Sequence, residues 1–168
     1  MTNSINDLED AEVILVIGSN TTQQHPLIGM RIKDAVKNKG AKLIVADPRK
    51  IPLVENAAIY APILPGTNLA FINGLLNVII NENLINKDFV ENRTEGFEEF
   101  KASVEKYTPE IVSGITGVPE NTIKEIARLY ANAKTASIVY AMGITQHISG
   151  TKNVAALANL SMLPGQIG

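Results

Sequence analysis

Val13-Ile14-Leu15-Val16-Ile17-Gly18-Ser19-Asn20 is the stretch that decides the fold. Five β-branched or leucine residues follow one another with no polar alternation, and small and polar residues then stop them. A strand built this way has no solvent face. It must be covered on both sides, which is the habit of a parallel sheet. Downstream, Ile28, Ile32, Ala35 and Val36 recur at helical spacing, with Pro26 near the first turn and Gly40 as a left-handed cap. Lys42 to Ala46 reads as a second strand, ended by Asp47-Pro48. Residues 58–63 read as a third, with Pro65-Gly66 as a turn.

The rest of the chain extends the alternation. Residues 69–80 are apolar nearly all round, with Asn73, Gly74 and Asn77 as exceptions. That predicts a buried helix capped by Thr67 or Asn68. Residues 81–106 are rich in Glu, Asn and Lys, while Phe97, Phe100, Val104 and Tyr107 mark one helical stripe. Thr108-Pro109-Glu110 opens a short helix with a cap and an N1 proline. Ile123, Ile126, Ala127, Tyr130 and Ala131 form an amphipathic helix. Residues 137–141 read as a fourth buried-type strand, ended by Met142-Gly143. A last stripe at Val154, Leu157, Ala158 and Met162 is closed by Pro164-Gly165. The expectation is an α/β, Rossmann-like fold: one domain over residues 1–168, with a mainly parallel sheet and helices on both faces.

Composition excludes much. Of 168 residues, 45% are hydrophobic and 19% charged, and the net charge is −2. There is no broad basic face, so nucleic acid is not an expected partner. The chain has no cysteine. It therefore has no disulfide, no thiolate metal or cluster ligand and no thiol nucleophile. No apolar run reaches the roughly 18 residues that span a bilayer. Met1 to Asp10 is polar and acidic, unlike a secretory leader, and a cytoplasmic location is expected.

In open α/β sheets, ligands bind beyond the carboxyl ends of the strands. The candidate binding segments are therefore Gly18, Ser19 and Asn20 after the first strand, Asp47, Pro48 and Arg49 after the second, Leu64 to Asn68 after the third, and Met142 to His147 after the fourth. Gly18 permits close backbone approach, and the amides after it suit a phosphate. Asp47 is an acid at a strand end, suited to ribose hydroxyls or a guanine edge, and Arg49 suits a phosphate. Each has a plainer reading beside it. Gly18 ends a strand, Asp47 before proline makes an Asx-type turn, and Arg49 is a surface arginine. His25 and His147 read as packing residues rather than ligands. The first turn lacks Gly-x-Gly-x-x-Gly, so an ordinary nicotinamide site is not supported. No nucleophile is paired with a base. No catalytic residue and no metal ligand is assigned.

The chain resembles the catalytic subunit of molybdenum- or tungsten-dependent formate dehydrogenases, within the molybdopterin guanine dinucleotide oxidoreductases. The resemblance rests on Val16 to Asn20 with His25-Pro26, on Gly40 to Lys50 with its Asp47-Pro48-Arg49, and on Pro65-Gly66-Thr67-Asn68. It continues through Arg93-Thr94-Glu95-Gly96-Phe97-Glu98-Glu99, Tyr107-Thr108-Pro109-Glu110, Ile115-Thr116-Gly117-Val118 and Gly143-Ile144-Thr145-Gln146-His147. It implies a domain that cradles one arm of a molybdopterin guanine dinucleotide, with Gly18, Asn20, Asp47, Arg49, Gly66, Asn68, Gly143 and Gln146 as its contacts and Asp47 at the guanosine end. It also implies that molybdenum or tungsten and an iron–sulfur cluster belong to the parent enzyme only, since family members hold them with cysteine or selenocysteine. The chain would then be an internal fragment, with Met1 to Ile5 an interior stretch. Its partners would be the remaining domains of the catalytic subunit and electron-transfer subunits. Two alternatives stay open: a free-standing nucleotide-binding domain of a dehydrogenase, and a non-catalytic scaffold domain of a redox complex.

Overall fold

A computed structural model describes residues 3–167; Met1 and Thr2 of the expected interior stretch, and Gly168, lie outside the described residues. The first hydrophobic run is strand β1 (Val13–Ile17). A short helix α1 (Thr21–Gln24) and α2 (Pro26–Asn38) lead to β2 (Lys42–Ala46). Pro26 takes the first position of α2, and Gly40 follows its end at φ +78°. A loop with one 3-10 turn (Pro52–Asn56) reaches β3 (Ile59–Ala61). Five helices follow: α3 (Asn68–Asn81), α4 (Lys87–Arg93), α5 (Phe97–Val104), α6 (Pro109–Thr116) and α7 (Glu120–Ala131). Then come β4 (Ala136–Tyr140), one turn of helix α8 (Met142–Thr145) and α9 (Gly150–Met162).

The four strands form one sheet in the order β3-β2-β1-β4, and every pairing is parallel. Side chains alternate between its faces, so the unbroken apolar run of β1 feeds two cores. Val13, Leu15 and Ile17 join Phe71, Leu75, Ile126 and Leu160 from α3, α7 and α9. Ile14 and Val16 join Leu43 and Val45 against Ile32 and Ala35 of α2 and Leu53 of the 3-10 turn. Each such leucine or isoleucine, removed from water, contributes roughly 1.5–3 kcal/mol. Helices on both faces of a parallel sheet are what the sequence pattern predicts.

Several boundaries differ, each for a tertiary reason. The third strand covers Ile59–Ala61 rather than residues 58–63, because it pairs only with Ile44 to Ala46. The fourth covers Ala136–Tyr140 and is half-buried to exposed rather than fully covered. It is an edge strand, and sheet order is invisible in a local apolar run. The expected single stripe through residues 97–107 ends at Val104, with Tyr107 in the turn beyond. The buried stripe of α9 is Asn153, Ala156, Leu157 and Leu160, while Ala158 is exposed. Thr67 holds the position before α3, but its hydroxyl donates to the Leu64 carbonyl (2.7 Å) instead of capping the helix. Thr108 does cap α6, accepting from the Ile111 amide.

The polar and small exceptions in α3 mark packing. Asn77 is buried, and its Nδ2 donates to the carbonyls of Val104 and Glu105 at the end of α5 (3.1 Å each). Gly74 lies under Val112 of α6, where a Cβ would come within 2.8 Å of that side chain.

Candidate functional site

A parallel sheet puts the carboxyl ends of all its strands on one edge. The segments after β1, β2, β3 and β4 therefore share a rim, as their positions in the sequence predict. From β1 the chain moves outward through β2 and β3, then returns to the other side of β1 as β4. The connections thus diverge between β1 and β4, the switch point where open α/β sheets bind ligands.

Gly18 and Gly143 meet at that switch point. Gly18 has φ +58°, and a Cβ on it would lie 2.7 Å from the Gly143 carbonyl carbon. A Cβ on Gly143 would lie 2.5 Å from the Gly18 oxygen. The Gly143 amide donates to the Gly18 carbonyl (3.0 Å), and the Gly18 amide donates to Ala46 (3.1 Å). Both amides are thus committed to protein. The pair acts through what it lacks, since no side chain divides the crevice. Ser19 and Asn20 follow, and their amides meet no acceptor among the described residues.

Asp47 ends β2 and is only 4% exposed. Its Oδ1 accepts the Arg49 amide (2.8 Å), the Asx-type turn of the plainer reading. The Arg49 Nε stands 3.8 Å from the same oxygen, with its side chain 74% exposed. Oδ2 accepts no hydrogen bond among the described residues, so the turn leaves half of a nearly buried carboxylate uncommitted. Tyr60 of β3 donates its hydroxyl to the Asp47 carbonyl (3.2 Å). Burial, and then the nearby charge of Asp47, hold the Tyr60 phenol above its usual pKa, so it remains a donor. The sequence reading missed Tyr60, because its bond reaches between two strands that only the sheet makes neighbours.

The remaining candidates sort by exposure. Asn20 is buried and occupied locally: its Nδ2 donates to Gln23 and its Oδ1 accepts from Thr22. Beside it, Thr21 Oγ1 is buried without a partner among the described residues. Asn68, buried at the start of α3, reaches the Gly143 carbonyl at 3.5 Å. Gly66 is exposed at φ +84°, with nothing within 4 Å of a Cβ, and Gln146 is exposed. The two histidines are not packing residues. His25 is exposed at the joint of α1 and α2. His147 is exposed, with Nε2 2.9 Å from the Gly143 oxygen. The segments after β1 and β3, through Gly18 and Asn68, therefore meet the segment after β4 at the backbone of Gly143, which His147 of that same segment also reaches.

A hollow of about 400 Å³ lies at the opposite edge, between the start of β1 and the ends of α2 and α7. Glu9 there pairs with Arg31 and Lys39. Self-paired surface charges at the amino ends of strands do not make a ligand site of this fold. Among the described residues, no group of three or more His, Cys, Asp or Glu is placed to hold a metal, and no helix is long and apolar enough to cross a membrane.

Comparison with known proteins adds the family. The family model for molybdopterin oxidoreductases matches residues 1–168. The F420-dependent formate dehydrogenase subunit alpha of Methanocaldococcus jannaschii is 56% identical over 168 residues, which are 100% of this chain and 25% of that protein. Formate dehydrogenase H of Escherichia coli is 44% identical over the same length, 23% of its own. The solved structure of acetylene hydratase from Pelobacter acetylenicus superposes with a TM-score of 0.88 at 36% identity, covering 94% of this chain and 22% of that one. The chain spans about a quarter of the length of these relatives.

Proposed function

The chain belongs to the molybdopterin oxidoreductase family, and from that premise we propose that it is the domain of a formate dehydrogenase catalytic subunit that cradles one arm of a molybdopterin guanine dinucleotide. The observation that carries this reading is Asp47. It is a nearly buried carboxylate at the end of β2, beside the switch point, with one oxygen left over from its own turn.

The residues present fit such a group. An uncommitted carboxylate oxygen suits the hydroxyl and amino donors of a guanosine. The Ser19 and Asn20 amides, which meet no acceptor among the described residues, would supply donors for a pyrophosphate. Arg49 would close over a phosphate by leaving its 3.8 Å approach to Asp47. Asn68, Gly143 and Gln146 would shape the opposite lip, and Gly66 the outer turn. Gly18 and Gly143 would keep side chains out of the crevice.

When bound, the group supplies the redox chemistry, in which formate becomes carbon dioxide, a proton and two electrons. The work of this chain would be to bind and orient. It contains no cysteine, so it offers no thiolate to a molybdenum or tungsten centre or to an iron–sulfur cluster. We expect the isolated chain not to oxidise formate. Its partners would be further domains of the subunit and electron-transfer subunits. The formate assignment rests on the 56% and 44% identical relatives. The fold alone would not carry it, because a hydratase shares that fold.

Calorimetric titration with GDP and with NAD tests the proposal. GDP should bind in the micromolar to millimolar range, about −8 to −4 kcal/mol, and NAD should not. Equal binding of both would favour an ordinary dinucleotide domain. Binding of neither would favour a scaffold.

A further inference from the structure

We propose that Asn153, a buried residue of α9, is the positioning residue that sets the rim segment after β4. This rests on the nucleotide reading only for its binding consequence. The segment from Met142 to Ser149 carries exposed residues almost throughout, including Met142, Gln146, His147 and Ile148. A segment so exposed has little apolar burial to hold its shape, and Ile144 is its one fully buried side chain.

Asn153 replaces that missing burial with hydrogen bonds. It is 0% exposed. Its Nδ2 donates to the Ile144 carbonyl (3.0 Å), and its Oδ1 accepts from the Ser149 hydroxyl (3.3 Å). Its amide donates to the Ser149 carbonyl (2.8 Å). One side chain thus ties both ends of the segment to the first turn of α9. The fit is close: Gly150 sits so near the Thr145 carbonyl that no side chain has room there, and its amide donates to His147 (2.9 Å).

The consequence travels one residue, from Ile144 to Gly143. Gly143 is where the segments after β1 and β3 meet this one, through Gly18 and Asn68. The carbonyl that Asn153 holds therefore fixes the peptide next to the switch-point contact. A buried amide with both of its ends used is a rigid support, and leaving either carbonyl or hydroxyl unpaired loosens it.

The test compares Asn153→Leu with Asn77→Leu. Asn77 is also a buried asparagine holding carbonyls, but it braces α5 away from the rim. Amide exchange and GDP titration are measured on both. Asn153→Leu should speed exchange across residues 143–150 and weaken GDP binding about fivefold, the scale of one lost hydrogen bond. Asn77→Leu should leave both near wild type, even where its unfolding midpoint falls as far. Ser149→Ala is a milder second variant that removes only the hydroxyl, and it should show a smaller effect confined to the same segment. If the wild type binds no GDP, the nucleotide reading falls, and the exchange pattern alone then decides the positioning role. Equal exchange at residues 143–150 in the Asn153, Ser149 and Asn77 variants overturns the proposal.

Discussion

Replacing Gly18 by alanine should destabilise the fold more than replacing Gly40, although both glycines have left-handed backbones. Their φ angles are +58° and +78°. An alanine in that region costs roughly 1–2 kcal/mol at either position. The surroundings differ. Nothing lies within 4 Å of a Cβ on Gly40, so its cost stops there. A Cβ on Gly18 would lie 2.7 Å from the Gly143 carbonyl carbon and 3.0 Å from the Ile144 amide nitrogen. Both are backbone atoms, and no side-chain rotation relieves the overlap. Parting the two segments should add about 1–3 kcal/mol, the scale of overpacking in a close-packed interior. The total for Gly18→Ala is then about 2–5 kcal/mol, within the roughly 5–15 kcal/mol stability of an ordinary domain. Urea unfolding of both variants, with unchanged denaturant dependence, measures the difference directly. Gly143→Ala should clash from the other side, and in the double variant the second substitution should cost less than alone, because the segments have already parted. If Gly18→Ala and Gly40→Ala lose the same stability, the switch-point contact is not as close as the structure has it.

Other outcomes follow from single residues. Asp47→Ala should weaken GDP binding by about 1–3 kcal/mol; unchanged affinity in calorimetry would leave the acid with only its turn. Leu15→Ala, in the central strand at 0% exposure, should cost about 2–5 kcal/mol in denaturant unfolding, and a smaller loss would mean the cavity collapses. Hydrogen bonds from Arg128 hold the Glu82 carboxyl below its ordinary pKa. A depressed acid stabilises the fold above the unfolded value of about 4.3, and that contribution is lost as the pH falls through the folded one. Unfolding midpoints measured between neutral and acidic pH should therefore fall less steeply in Glu82→Gln than in wild type, more visibly at low salt. The chain alone, given formate and a dye acceptor, should reduce no dye above a protein-free control.

Local sequence determined the elements and the edge on which chemistry would sit. An apolar run such as Val13–Ile17 has one stable use, a strand covered on both faces, and Asp47-Pro48 or Gly18 must then fall just beyond a strand end. The family was legible for the same reason: its motifs are short and contiguous. What local sequence could not determine is which segments become neighbours. The half-exposed state of β4 follows from its place at the end of the β3-β2-β1-β4 order, not from its composition. Gly18 and Gly143 read as two turn residues until the sheet sets them backbone to backbone. Tyr60 reaches Asp47 only because β3 lies beside β2. Asn153 lies outside the helical stripe that periodicity marks, and it is buried because Ile144 and Ser149 present the partners that satisfy it. Periodicity reports how a segment meets water, whereas hydrogen bonds between distant segments depend on coordinates that only the folded chain supplies.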